Sequence, residues 1–221
     1  MKKILNFIQN SKVKSTIIVT LLLLLYTFIC AFDYVQAVSS DIQESVFRLH
    51  VLANSDTKED QELKYMVRDA LLEYMNTICQ NITSKEDAIF LVEKHKSEFE
   101  NIALDVIRKE GFDYFVNINI GNFKFPTKTY GDISLPAGMY DALRVEIGGS
   151  NGQNWWCVMF PSLCFIDITS GVVEEDSKDL LKENLSDESY TVVSDNSNGI
   201  VKFKFKILEF FGKKTVATAK K

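Results

Sequence analysis

The sequence predicts an α+β fold: an antiparallel β-sheet with an N-terminal helical hairpin packed on it, preceded by a signal peptide or a single membrane anchor. Three observations support this. An uncharged segment stands near the N-terminus, two segments with helical periodicity follow, and much of the remaining chain alternates apolar and polar residues. Helices that come early, with strands after them, are typical of α+β proteins. The 221 residues, 46% hydrophobic, suit one globular domain with an appendage.

The N-terminal segment has the order of an export signal. Four lysines precede residues 15–32, which carry no charge. Val35-Gln36-Ala37 follows, with a small residue at its end. This order is typical of a secretory signal, while the apolar run is also just long enough to span a bilayer. Residues 1–37 are therefore predicted to be either a signal peptide cleaved after Ala37 or a retained anchor. Either way the body lies outside the cytoplasm, because the positive flank stays inside.

The predicted globular body, residues 41–185, begins with a strand and a helix. Residues 45–53 are β-rich, and Asn54–Thr57 are residues that interrupt strands and cap helices. Apolar residues then recur at i, i+3, i+4 and i+7, which predicts an amphipathic helix that ends near Cys79. Glu59 and Asp60 place negative charge at its positive end.

A second helix and several strands complete the predicted body. The helix runs from Ser84 to Glu110, where Gly111 ends it. The period then changes to two, and Gly121-Asn122 is predicted to be the turn of a hairpin whose strands are 116–120 and 123–125. Further elements are strands over 143–147 and 154–160 and a short helix over 177–184.

The charge is distributed unevenly along the chain. Residues 1–40 carry +3 and residues 200–221 carry +6, so the net charge of −5 leaves −14 for residues 41–199. Such an acidic body disfavours nucleic acid as a partner, because phosphate contacts need clustered Lys and Arg.

The C-terminal region, residues 186–221, is predicted to be a polar linker, an amphipathic strand and a basic tail. In residues 201–207 Lys alternates with aromatic and aliphatic residues, and more Lys residues follow. Two interpretations stay open. Lysines protect the edge strand of a sheet from further pairing, or the segment is attracted to anionic lipid or cell-wall polymer.

The sequence predicts no catalytic, cofactor or metal site. It contains two histidines, no G-x-S-x-G nucleophile elbow, no glycine-rich phosphate loop before a helix, and no spacing typical of metal ligands. One catalytic alternative stays open, an extracytoplasmic hydrolase that acts on cell wall through His50, Asp56 and Asp60. It requires these three side chains to converge in a cleft. A membrane-anchored binding module is the other alternative.

Paired cysteines and paired tryptophans stand in the last predicted strand and just after it. Cys157 and Cys164 are either bridged, as an oxidising compartment allows, or two buried thiols. Trp155 and Trp156 point to opposite faces of one strand. One is expected in the core, while the other is either an exposed anchor for a partner or covered by another element.

Several stretches together resemble the stage II sporulation protein R family of endospore-forming bacteria. They are RLHVLANSD (48–56), EDQELK (59–64), VRDA (67–70), FPTKTYG (125–131), LPAG (135–138), NWWCVMFP (154–161) and LCFID (163–167). The resemblance covers residues 45–167. Within these motifs the candidate interaction or structural residues are His50, Asn54, Asp56, Asp60, Arg68, Tyr130, Trp155 and Trp156.

The resemblance implies a signalling protein and not an enzyme. Members are made in the forespore and exported across its membrane into the space between the forespore and mother-cell membranes. There they activate a membrane-embedded aspartic protease of the mother cell, which processes pro-sigma-E to sigma-E. The expected partners are therefore the extracytoplasmic or membrane face of that protease and, through residues 15–32, a membrane. No cofactor is expected.

Overall fold

The computed structural model describes residues 11–79, 82–163, 173 and 175–194. Within them the fold is α+β, as predicted. The elements in chain order are α1 (Ser11–Ser45), β1 (Phe47–Leu52), α2 (Lys58–Ile78), α3 (Lys85–Lys94), α4 (Lys96–Lys109), β2 (Val116–Phe125), β3 (Lys128–Tyr130), β4 (Ile133–Leu135), β5 (Gly138–Ile147), β6 (Asn154–Phe160), α5 (Glu175–Asn184) and α6 (Asp187–Ser194). The described residues between Ser39 and Ser194 form one compact unit, and those up to Val38 belong to another.

The main sheet of the described chain has the strand order β2-β5-β1-β6, and β3 and β4 form a separate small hairpin. The β2–β5 and β1–β6 pairs are antiparallel, so antiparallel pairing dominates as predicted. The central β1–β5 pair is parallel, which the sequence did not indicate. A parallel pair needs a long connection between its strands, and here three helices and three strands separate β1 from β5.

The predicted hairpin turn at Gly121-Asn122 is wrong. Strand β2 passes through both residues without a break and pairs with β5 along its whole length, from Val116 opposite Ile147 to Phe125 opposite Gly138. The chain instead turns back in the β3–β4 hairpin. A ten-residue ladder gives Gly121 and Asn122 extended partners, and this tertiary pairing overrides their local preference for turns.

The helices begin at the predicted capping residues. Thr57 is the N-cap of α2, and its Oγ1 accepts a hydrogen bond from the Asp60 backbone N–H at 3.3 Å. Ser84 caps α3 in the same way. The predicted single helix from Ser84 to Glu110 is interrupted at His95, whose backbone leaves the helical conformation and separates α3 from α4.

The sheet has one face toward the helices α2–α4 and one face away from them. Leu49 and Val51 of β1 share a buried core with Val67 and Leu71 of α2 and with α4. Because side chains alternate along a strand, Arg48 and His50 point to the opposite face. The fold thus presents two chemically different surfaces of the same strands.

The described C-terminal helices and the end of α1 belong to the same compact unit as the sheet. Helix α5 confirms the predicted helix over 177–184, and α6 is helical within the segment predicted as a linker. The Ser45 hydroxyl donates to the Asn184 carbonyl at 2.6 Å. The predicted strand at 201–207 and the basic tail lie outside the described residues.

Helix α1 contains the described part of the predicted leader, from Ser11 onward. It is long and apolar enough to cross a membrane by length and composition, a property that signal sequences near the N-terminus share. Its apolar side chains between residues 17 and 32 are largely exposed. Both predicted forms of the leader are compatible with this helix.

Candidate functional site

A network of hydrogen bonds joins the loop after β1 to the loop between β5 and β6. The Asn54 side chain accepts from the Gly149 N–H at 2.8 Å through Oδ1 and donates to Asp60 Oδ2 at 2.8 Å through Nδ2. The Asp56 carboxylate accepts from the Gln153 N–H at 2.7 Å. The side chains of Asn54 and Asp56 therefore link the two loops. Thr57 is the residue of this segment that caps helix α2.

Asp60 is the buried acceptor at the centre of this loop network. Its Oδ2 accepts from the Ser55 hydroxyl at 2.5 Å as well as from Asn54. Burial alone raises the pKa of Asp60, but the hydrogen bonds from Ser55 and Asn54 outweigh it and hold the pKa below its ordinary value. A carboxylate whose hydrogen-bond partners favour the ionised form acts here as a structural anion.

His50 and Trp156 form a stacked pair on the sheet face away from the helices. Their ring centroids are 3.7 Å apart at an interplanar angle of 16°, and His50 Nε2 lies 2.7 Å from Asn154 Oδ1. Burial lowers the pKa of His50 to about 4, so the imidazole is neutral at pH 7. Among the described residues, the buried His50 Nδ1 has no hydrogen-bond partner.

Arg48 lies next to this pair and is the residue that the sequence reasoning missed. Its side chain is fully buried, donates to Tyr130 Oη at 2.7 Å, and places its guanidinium 4.1 Å from the Phe125 ring centroid. Tyr130 in turn donates to the Trp156 carbonyl at 3.1 Å. Within the described chain no carboxylate pairs with Arg48. The position of Arg48 in an alternating strand was the available sequence signal. However, an arginine at such a position is predicted to be exposed to solvent.

Tyr65, Arg68 and Trp155 form a second cluster on the helix side of the sheet, which we call the aromatic patch. The Arg68 guanidinium lies 4.3 Å from the Trp155 ring centroid and 5.0 Å from that of Tyr65. The two rings meet edge to face at 5.4 Å. All three side chains retain exposure to solvent. Of the predicted interaction residues, Arg68 and Trp155 are thus brought together at the surface.

The two tryptophans occupy opposite faces of β6, as the alternation predicts. Both are partly exposed, so neither the fully buried nor the fully exposed alternative describes them. Cys157, on the same strand, is buried and disulfide-bonded. Cys164 lies outside the described residues, and its pairing with Cys157 stays a prediction.

Comparison with known proteins identifies the family. The sequence model described as stage II sporulation protein R matches residues 43–170, which is more than half of the chain. The chain belongs to the stage II sporulation protein R family. It is 39% identical over 144 residues to stage II sporulation protein R of Bacillus subtilis (strain 168), a match that covers 64% of each chain. No solved structure matches it.

The matched region of this stage II sporulation protein R family member contains the loop network, the His50–Trp156 pair and the aromatic patch. It does not bring the residues of the hydrolase alternative together. His50 points away from the helices, whereas Asp60 belongs to helix α2 on the other side, and Asp56 is bonded to the Gln153 backbone. Among the described residues, no group of three or more His, Cys, Asp or Glu side chains could hold a metal ion.

Proposed function

We propose that this chain is an exported forespore signalling protein that activates the membrane aspartic protease which processes pro-sigma-E to sigma-E in the mother cell. The observation that carries the proposal is the family membership of residues 43–170. The match covers 64% of the Bacillus subtilis relative, so the role of the whole protein is part of the proposal.

The proposed location is the space between the forespore and mother-cell membranes. Helix α1 supports export, because an apolar helix near the N-terminus with lysines before it is typical of a signal peptide or an anchor. Cleavage after Ala37 releases the body, and retention holds it at the forespore membrane through residues 15–32. Both forms place the body on the side where an extracytoplasmic partner is accessible.

The proposed mechanism is a shift in the conformational equilibrium of the protease. Docking of the body activates the enzyme only if the active state, dimeric or otherwise, binds the body more tightly than the resting state. A change from 1:99 to 99:1 requires a difference of about 10⁴-fold in affinity. A binding surface is sufficient for this task, and no catalytic group of the signalling protein takes part.

The test is an immunoblot of sigma-E during sporulation in a strain that lacks the gene. We expect unprocessed pro-sigma-E to accumulate, and the full gene to restore the mature form. A copy that begins at Val38 without a leader is the matched control, and it should not restore processing because its product stays in the forespore cytoplasm.

Normal processing in the strain that lacks the gene contradicts the proposal. Restoration by the leaderless copy contradicts export as the step that delivers the signal. If processing is normal without the gene, the hydrolase and the binding module become the hypotheses to test. Cell-wall fragments are the substrate for the hydrolase assay.

A further inference from the structure

Two cations lie close together at the aromatic patch of an otherwise acidic body. Residues 41–199 carry a net charge of −14, yet Lys64 and Arg68 stand one helical turn apart beside the same Tyr65 ring. Burial, and after it the charge of Arg68, lower the pKa of Lys64, while Asp56 acts in the opposite direction. The two cations therefore lie close enough together to repel one another.

The intramolecular partner of Arg68 is weak. Arg68 Nε and Nη2 both donate to Asp69 Oδ1, at 2.7 and 2.6 Å, but the Asp69 side chain is 58% exposed and adjacent in sequence. Exposed ion pairs contribute little, about 0–1 kcal/mol. The two rings hold the guanidinium in place from the other side, so it is already oriented before any partner arrives. Prior orientation lowers the entropic cost of binding.

The guanidinium of Arg68 is the cationic group that the patch offers to a partner, because the Trp155 indole Nε1 is buried and a partner cannot reach it. The guanidinium carries hydrogen-bond donors only. A partner that binds it must therefore supply acceptors, and a carboxylate supplies both acceptors and the opposite charge.

We propose that the aromatic patch of Tyr65, Arg68 and Trp155 is the docking surface for a carboxylate-bearing polypeptide segment of the partner protein. The proposal rests on the proposed function for the identity of that partner, the sigma-E processing protease. Trp, Tyr and Arg are the residue types most enriched among those that dominate protein–protein binding energies. Asp or Glu of the partner binds Arg68, and an apolar neighbour contacts the exposed part of Tyr65.

An anionic lipid surface is the competing occupant, and the patch fits it less well. Attraction to such a surface grows with each Lys or Arg near it, and an acidic body opposes approach. Lys64 is only 1% exposed, so it contributes charge to the patch but no contact.

The test is site-specific photo-crosslinking in sporulating cells that produce the full chain and an epitope-tagged protease. The photoreactive residue replaces Gln153, which is exposed just before β6 and whose backbone carbonyl accepts from Lys64 Nζ at 3.1 Å beside the Tyr65 ring, so the three patch residues stay intact. A probe at Phe90, 63% exposed on α3, is the positional control. We expect a crosslink to the protease from position 153 and none from position 90.

The decisive comparison is R68E against R108E. Arg108 is exposed near the end of α4, so R108E makes the same charge change away from the patch. Loss of a dominant interface residue is expected to reduce binding at least tenfold. R68E should therefore reduce the yield of the crosslink from position 153 and the ratio of sigma-E to pro-sigma-E by about tenfold or more, and R108E should change neither. Equal amounts of each variant on immunoblots exclude degradation of the variant as the cause.

Three results overturn this proposal: no protease crosslink from position 153, an equal yield with R68E and R108E, or a crosslink to lipid alone. None of them bears on whether the gene is needed for sigma-E processing. Conversely, normal processing in the strain that lacks the gene contradicts the proposed function. The crosslinking result still shows, independently of that outcome, whether the aromatic patch contacts the protease.

Discussion

The Oδ1 atom of Asn54 leaves no room for the Cβ atom of any residue other than glycine at position 148. An ideal Cβ built on Gly148 would collide with that oxygen, and the Gly148 backbone has φ = +54°. The same oxygen accepts the hydrogen bond from Gly149. Asn54 and Gly148 therefore form one unit that fixes the loop after β1 against the loop after β5.

This unit predicts a coupled pair of substitutions. G148A should reduce the free energy of unfolding by about 3 kcal/mol, because left-handed backbone strain and overpacking against Asn54 add together. In an N54A background the collision with Oδ1 is absent, so the same change should cost only about 1–2 kcal/mol. Urea unfolding of the full chain in detergent, followed by tryptophan fluorescence, measures both. Strictly additive effects would show that the two residues do not interact.

Arg48 predicts an unusual order of stabilities. R48A should lower the free energy of unfolding by about 3 kcal/mol, since it empties the space of a fully buried side chain. R48M fills most of that space, so it should be about 2 kcal/mol more stable than R48A. Because a buried charge that lacks a paired carboxylate is costly, R48M should also be at least as stable as the unchanged chain. The same urea titration measures the difference.

Tyr130 makes this comparison interpretable, because its hydroxyl keeps the Trp156 carbonyl as acceptor in both variants. Equal instability of R48M and R48A would mean that the guanidinium is itself stabilised by its ring contacts and its hydrogen bond to Tyr130.

His50 predicts that stability falls in mildly acidic solution. Its pKa is about 4 in the folded chain, below the ordinary 6.5, so between these values the unfolded chain binds more protons than the folded one. The contribution of the neutral imidazole to the free energy of unfolding is fully present above pH 6.5 and is lost as the pH falls toward 4. This contribution amounts to at most roughly 3 kcal/mol.

H50Q provides the measurement for this prediction. Glutamine does not titrate, so the free energy of unfolding of H50Q should change less between pH 7 and pH 5 than that of the unchanged chain. H95Q is the matched control and should keep the dependence that His50 causes. An identical pH dependence in H50Q and the unchanged chain would show that His50 does not titrate in this range.

Local signals predicted the parts of the fold that local interactions determine. Thr57 and Ser84 cap helices within the predicted segments, and Gly111 ends α4 with φ = +83°. The predicted turn at Gly121-Asn122 was wrong because a long partner strand keeps those residues extended. The parallel β1–β5 pair joins residues that are far apart in sequence, and one sequence contains no signal for such pairing.

The same limit applies to the candidate site. Arg68 and Trp155 were each predicted as interaction residues, but nothing in the sequence indicated that they stack on one another across the helix and the edge strand. The alternation in β6 did separate Trp155 from Trp156. Arg48 was missed because its burial depends on aromatic residues from three other strands, which the sequence does not bring together.

The last residues of α1 predict where the folded body begins. Ile42 is fully buried, the Asp41 carboxylate accepts from the Ser186 N–H at 3.0 Å and from its hydroxyl, and Lys85 donates to the Gln43 carbonyl at 3.2 Å. These contacts lie after the predicted cleavage position. A chain that begins at Val38 therefore keeps all of them, and one that begins at Val46 loses them.

We expect the chain from Val46 to be at least about 4 kcal/mol less stable than the chain from Val38, because it loses one buried isoleucine and several hydrogen bonds. I42A in the chain from Val38 isolates the apolar share of that loss. Urea unfolding of the three proteins gives the values. Equal stability of the two truncated chains would mean that the end of α1 is dispensable for folding. A large difference would mean that cleavage after Ala37 removes the apolar leader without weakening the body, whereas cleavage eight residues later would destabilise it.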